Sequence, residues 1–170
     1  MGILNEGNPK DQPLHYGEIF HIWIYSAKKK TTISTYQLYL SHAGDNDLKR
    51  LLNNLVKQAR QAAEECDELL VHNGIMPPPS LPERPSVRLE EIPAGARFSD
   101  VEIAVAVGEN LAAGLVACSQ ITGSSIRIDV GLLFSKYYAL HLASSAVALG
   151  ISKEKGWLVP PPLQIRRPEH

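Results

Sequence analysis

Cysteine is scarce, with two residues in a chain of 170, so a disulfide scaffold cannot be the source of stability. An excess of charge of one sign is also lacking. Lys plus Arg number 17 and Asp plus Glu 18, for a formal net charge of −1. A near-neutral chain has no overall field to hold a polyanion, so no nucleic-acid partner is expected. No continuous run of about 18 apolar residues occurs, and no membrane span is expected. The opening residues Met1 to Glu6 lack the basic and apolar segments of a signal peptide, and none is expected. Strand-like alternation and internal repeats are missing too. What is there is ordinary globular composition, 44% hydrophobic and 21% charged, on a chain long enough for one sizeable core.

Helical periodicity dominates, and glycine and proline cut it into four segments: about 14–43, 47–73, 99–122 and 125–149. Pro13 suits a first helical turn, and Gly44 can supply a left-handed stop. Asp45 or Asn46 can cap the second helix, and Gly74 can end it. Ser99-Asp100-Val101-Glu102 fits a capping box for the third, and Gly150 is placed to stop the fourth. Between the second and third helices, 75–98 carries Pro77, Pro78, Pro79, Pro82, Pro85 and Pro93. Such a segment is extended, advancing about 3.1 Å per residue, and can cross the length of a bundle. The fold class expected is all-α: a single four-helix-bundle domain over 1–170, with a long Pro-rich crossover and an extended tail over 157–170. Helix is expected for about three quarters of the chain.

At about 100° per residue, Leu48, Leu51, Leu52, Leu55, Ala59, Ala62, Ala63, Cys66, Leu69 and Leu70 share one face of the second helix. Ile19, Ile22, Ile33, Tyr36 and Leu40 share a face of the first. The third and fourth helices are apolar nearly all round and rich in small residues. One bundle core buries only one face of a helix, so the face of Val105, Ala112, Val116 and Ser119 is expected to meet the linker or a second subunit. A homodimer through the third and fourth helices follows.

A carboxylate-bridged di-metal centre in a bundle needs inward Glu on two helices and Glu-x-x-His on the other two, because a spacing of three puts both ligands on one face. One match occurs, Glu18-Ile19-Phe20-His21, and Glu64 and Glu68 point away from the leucines. His141 projects to the far side of the fourth helix. The ligand set is incomplete. His15, Glu18 and Lys29 fall in the apolar sector of the first helix. The simplest account pairs His15 with Glu18 one turn apart and lets Lys29 snorkel. Lys28-Lys29-Lys30 is too short for a polyanion site, and most of it is expected on a solvated face. Cys66 and Cys118 project inward as small core residues. If the linker crosses the bundle, the second and third helices run parallel. His15, Glu18, Cys66 and Cys118 then share a layer, where two thiolates, an imidazole and a carboxylate would suit zinc. Of the aromatic group Tyr16, Phe20, Trp23 and Tyr25, part must face the linker or the tail at Trp157.

Several segments resemble a family of spore-forming bacteria: Gly7-Asn8-Pro9-Lys10-Asp11, Leu14-His15-Tyr16-Gly17-Glu18, Pro93-Ala94-Gly95-Ala96-Arg97-Phe98, Gly114-Leu115-Val116-Ala117-Cys118-Ser119-Gln120 and Glu154-Lys155-Gly156-Trp157-Leu158-Val159-Pro160-Pro161-Pro162. The family is of unknown function, and its members are often labelled spore coat proteins, akin to coat protein F. The resemblance implies a ferritin-like fold with a crossing linker, a cytoplasmic or spore-coat location and other coat proteins as partners. It brings no catalytic residues. The function expected is therefore a non-enzymatic structural or interaction role without a cofactor. The alternatives are a metal-binding ferritin-like protein, with zinc or iron at an atypical site drawn from Glu18, His21, Cys66 and Cys118, and a small-molecule binder between helices near His15 and Glu18.

Overall fold

The computed structural model describes residues 12–162 and 164. The first motif of the resemblance, Gly7 to Asp11, and the tail residues 163 and 165–170 lie outside them. Four helices account for the architecture: α1 (Tyr16–His42), α2 (Asn46–His72), α3 (Asp100–Ser124) and α4 (Ile128–Glu154). Two short 3-10 turns, Leu89–Glu91 and Ala94–Ala96, interrupt the crossover, and there is no strand among the described residues. Helices of 27, 27, 25 and 27 residues fall short of three quarters of the described residues, because the crossover stays extended.

The crossover is pinned along α1. Trp23 Nε1 donates to the Met76 carbonyl (3.1 Å), and Lys30 Nζ reaches the Pro78 carbonyl. Arg84 Nε donates to Ser34 Oγ (2.9 Å), and the Val87 amide to Ser41 Oγ (3.4 Å). Glu83 bridges Arg60 of α2 to Gln37 of α1. Each contact lies further along α1 than the last, so the chain returns to the end where α2 began. α2 and α3 therefore run parallel. Serine hydroxyls and basic side chains on α1 supply the donors and acceptors that a proline-rich strand cannot find in itself.

Two helix stops differ from the sequence expectation. Gly74 (φ 75°) ends α2 as expected, with the Ile75 amide donating to the Leu70 carbonyl and that of Gly74 to Val71. Gly150, however, lies inside α4. The same motif recurs at Gly156 (φ 70°), where the Trp157 amide donates to the Ser152 carbonyl. Trp157 packs with Ile151 and Ala148 on the core, and that contact favours the later stop. At Gly44 no left-handed turn occurs; α1 ends on extended Ala43. The amides of Gly44 and Asp45 instead donate to the Asp100 carboxylate (2.7 and 3.1 Å), clasping the α1–α2 turn to the start of α3. Pro13 precedes α1, whose N-cap is His15.

The core divides into two apolar clusters. One, around Ile22, Cys66, Leu70, Cys118, Val130 and Phe134, fills the His15 end; the other, around Leu48, Leu52, Ile103, Val107 and Leu111, fills the far end. By length and composition alone α3 could cross a membrane, since a window within 94–124 has a mean hydropathy of 1.6. Its stripe of Ile103, Val107, Leu111, Cys118 and Ile121 is nonetheless spent on the bundle core.

Candidate functional site

At the His15 end, one carboxylate ties two helices together. The His15 ring caps α1, its Nδ1 accepting from the amides of Gly17 (3.0 Å) and Glu18 (3.3 Å). Glu18 completes the capping box, its Oε2 accepting from the His15 amide (3.1 Å). Its Oε1 accepts from the amides of Ile126 and Arg127, each at 2.9 Å, immediately before α4. Glu18 is 1% exposed, so this carboxylate is buried and satisfied by backbone donors at the positive ends of two helices. Arg127 stands beside it, donating to Asn73 Oδ1 (3.0 Å) and the Gln12 carbonyl (3.2 Å). The Asp129 hydrogen bond holds the Arg127 guanidinium above its ordinary range.

His15 and Glu18 thus come together, but Cys66 and Cys118 do not join them. Both thiols are free and fully buried. Cys118 Sγ donates to Tyr25 Oη (3.5 Å), which lies seven residues along α1 from Glu18, about 10 Å by helical rise. Both thiols lie toward the His15 end of the bundle, as the parallel α2 and α3 require, but no three of the four residues converge on a point. Burial pushes the Cys66 thiol up to about 12 and also raises that of Cys118, which disfavours the thiolate at neutral pH. His21 sits half-buried with its ring edge-on to Phe20 (5.9 Å). Among the described residues no three His, Cys, Asp or Glu side chains converge on a point that could hold a metal ion. The Glu18-x-x-His21 match is explained by capping: Glu18 has both oxygens engaged by amides.

The thiols sit in the apolar cluster at that end, and Cys118 borders a polar layer around Lys29 and His141. Lys29 Nζ lies 2.9 Å from His141 Nε2 and 4.7 Å from the centre of the Tyr25 ring. Tyr25 Oη lies 3.2 Å from the same His141 nitrogen, and the Tyr25 ring stacks on Tyr137 (5.5 Å). Tyr137 Oη donates to Glu65 Oε2 (2.6 Å), which also receives Lys136. Burial depresses the Lys29 ammonium to about 8 and the His141 imidazole to about 4, and drives the Tyr25 phenol well above its usual range.

Three expectations are corrected here. Lys29 does not snorkel; it is 6% exposed and ends inside the bundle. Two of the three consecutive lysines are buried, since Lys30 pairs with Asp67 (2.6 Å). His141 faces inward, not outward. Its stripe is Val130, Phe134, Tyr137, His141 and Ser144, a spacing of four and three that was present in the sequence. An all-round apolar helix hides such a stripe, because no polar face marks the opposite side. Gly114 was the second signal: a Cβ there would lie 2.8 Å from His141 Cε1 and Nε2, so only glycine leaves room for the ring. Among the aromatics, Tyr25 enters the core and Trp23 meets the linker. Tyr16 and Phe20 stay exposed, and Trp157 packs at the opposite end from them.

The chain resembles known proteins over nearly its full length. It is 41% identical over 167 residues to the uncharacterized protein YvdQ of Bacillus subtilis (strain 168), covering 98% of each chain. It is 43% identical to the crystal structure of a "putative spore coat protein" from Bacillus halodurans C-125, with a TM-score of 0.91 over 94% of this chain and all of that one. That match is to an all-helical fold, in keeping with the four-helix bundle described above. The model of the family described as "Protein of unknown function (DUF3231)" matches residues 3–169, and the chain belongs to that family.

Proposed function

We propose that the protein is a non-enzymatic structural bundle associated with the spore coat. The observation that carries this reading is the 43% identity and near-complete structural overlap with the Bacillus halodurans protein bearing that label. Two features support it. The carboxylate at the bundle end is consumed in joining helices, which is a structural duty. The α3 and α4 faces are built for contact: Val105, Val116, Leu132, Leu142 and Val147 are each more than half exposed. Among the described residues the linker packs on α1 and does not cover this side, and Trp157 to Val159 reach only one end of it. We assign it to a second copy of the chain, because α3 between 103 and 124 carries one charge, Glu109, and α4 between 130 and 152 only Lys136. So continuous an uncharged surface is costly to leave in water.

The test is a fluorescent fusion expressed in sporulating Bacillus cells, with coat extraction alongside. Signal at the spore periphery and recovery in the coat fraction are expected. Diffuse signal in the mother cell would overturn the coat assignment. Stoichiometric iron, manganese or zinc in protein purified without chelators would overturn the structural reading in favour of a metal-binding ferritin-like role.

A further inference from the structure

The four helices line a pocket of about 20 Å³ at the polar layer, partly open to solvent and large enough for one small guest. Lys29, Tyr36, Gln58, Asn110 and His141 line it. Its chemistry is lopsided. The Lys29 ammonium is buried, yet the neighbouring carboxylates are spent elsewhere: Asp67 on Lys30, Glu65 on Lys136 and Tyr137. With a pKa held near 8 it is still largely protonated at neutral pH, so a positive charge sits in the core without a counter-charge.

The hydrogen bonds around it tilt the same way. Asn110 Oδ1 accepts from Tyr36 Oη (3.2 Å), and Gln58 Oε1 accepts from Ser144 Oγ (3.2 Å). Each amide oxygen therefore keeps one lone pair, while each NH2 keeps two hydrogens to donate. His141 accepts from Lys29 at Nε2, so the neutral ring carries its proton on Nδ1. That nitrogen is buried without a hydrogen-bond partner among the described residues. The layer thus holds surplus donors and one surplus positive charge. A water guest would add two more hydrogens to a site already richer in donors than acceptors, and would leave the charge uncompensated. A small anion supplies acceptor capacity and the missing charge together.

We propose that the central cavity binds one monovalent anion of chloride size, held by the Lys29 ammonium and the side-chain amides of Gln58 and Asn110. Gly114 maintains the site indirectly, by leaving space for the imidazole that orients Lys29.

The test uses the full chain and bromide as the probe. Crystals grown in sodium bromide should show an anomalous peak in the cavity. Thermal melts in sodium chloride or bromide should show a saturable rise over sodium sulfate at matched ionic strength. At ten times the dissociation constant the rise should be about 3–5 °C. Lys29→Met should lose both the peak and the halide response. Should that variant fail to fold, the anomalous map of the unaltered protein decides alone. Water density without an anomalous peak, or an equal response to sulfate, overturns the proposal. A bromide peak without a saturable shift marks an adventitious ion only, and overturns it equally.

Discussion

Glu18 shows how one residue can serve two helices. Its carboxylate accepts three backbone amides, two of which open the path into α4. Glu18→Ala leaves these donors without their acceptor, and a loss of about 1–3 kcal/mol in urea denaturation is expected. Glu18→Gln retains one acceptor oxygen and should lose less. Gly114→Ala inverts the usual rule for exposed helix positions. Alanine gains about 1 kcal/mol over glycine in a helix interior. Here its Cβ would lie 2.8 Å from the His141 ring, so a net fall in Tm is expected. His141 also sets a pH dependence. Burial holds its folded pKa near 4, against 6.5 for the unfolded chain. Between these values the unfolded chain binds more protons. Its contribution to stability is therefore complete above pH 6.5 and is lost as pH falls toward 4. The full loss is about 3 kcal/mol, and His141→Asn should flatten that limb of the pH–stability curve. Such a residue was hard to place from sequence because its helix offers no polar face for contrast. Lys29 was misplaced for a related reason: a lysine in an apolar sector usually extends to solvent, and only the cluster of Tyr25 and His141 around it makes burial tolerable.

At the scale of elements, the helix starts were the most legible part. Ser99 and Glu102 form the capping box that their spacing announced, the Ser99 amide donating to Glu102 Oε2 (2.7 Å) and the Glu102 amide to Ser99 Oγ (3.3 Å). Ser99→Ala should cost about 1 kcal/mol, visible as a lower midpoint in chemical denaturation with an unchanged slope. Asp45 caps α2 in the same manner, and Lys155 from the end of α4 pairs with it (2.9 Å) and with Asp47 (2.8 Å). Helix ends were less legible. Gly150 and Gly156 are equally good stops locally, and Trp157 settling on Ile151 and Ala148 chose between them. The crossover could be recognised by its prolines, but its course along α1 depends on contacts 46 to 56 residues apart in sequence.

For the whole molecule, the unresolved question in the sequence was which surface the second apolar face of α3 would meet. The linker was a candidate, and it packs on the other helix pair. With α3 and α4 assigned to a second copy, light scattering at micromolar concentration should give twice the mass of the 18.7 kDa chain. Val105→Glu and Leu142→Glu place charge in that face, each position being more than half exposed, and should shift the protein to monomer without lowering its helix content. A monomer in the unaltered protein would refute the assignment.

The sequence by itself determined the helices, the N-caps of α2 and α3 and the length of the crossover, because propensity, capping and period act within a few residues of one another. It also determined that Cys66 and Cys118 would be buried, since both lie on apolar stripes. Only the tertiary structure decided what those thiols and Lys29 would meet. Helix projection specifies an angle around one axis, but the level at which four axes bring their side chains together depends on how the helices are staggered. That stagger set Tyr25 and Lys29 of α1 beside Cys118 of α3 and His141 of α4, and left Glu18 to the backbone amides at the bundle end.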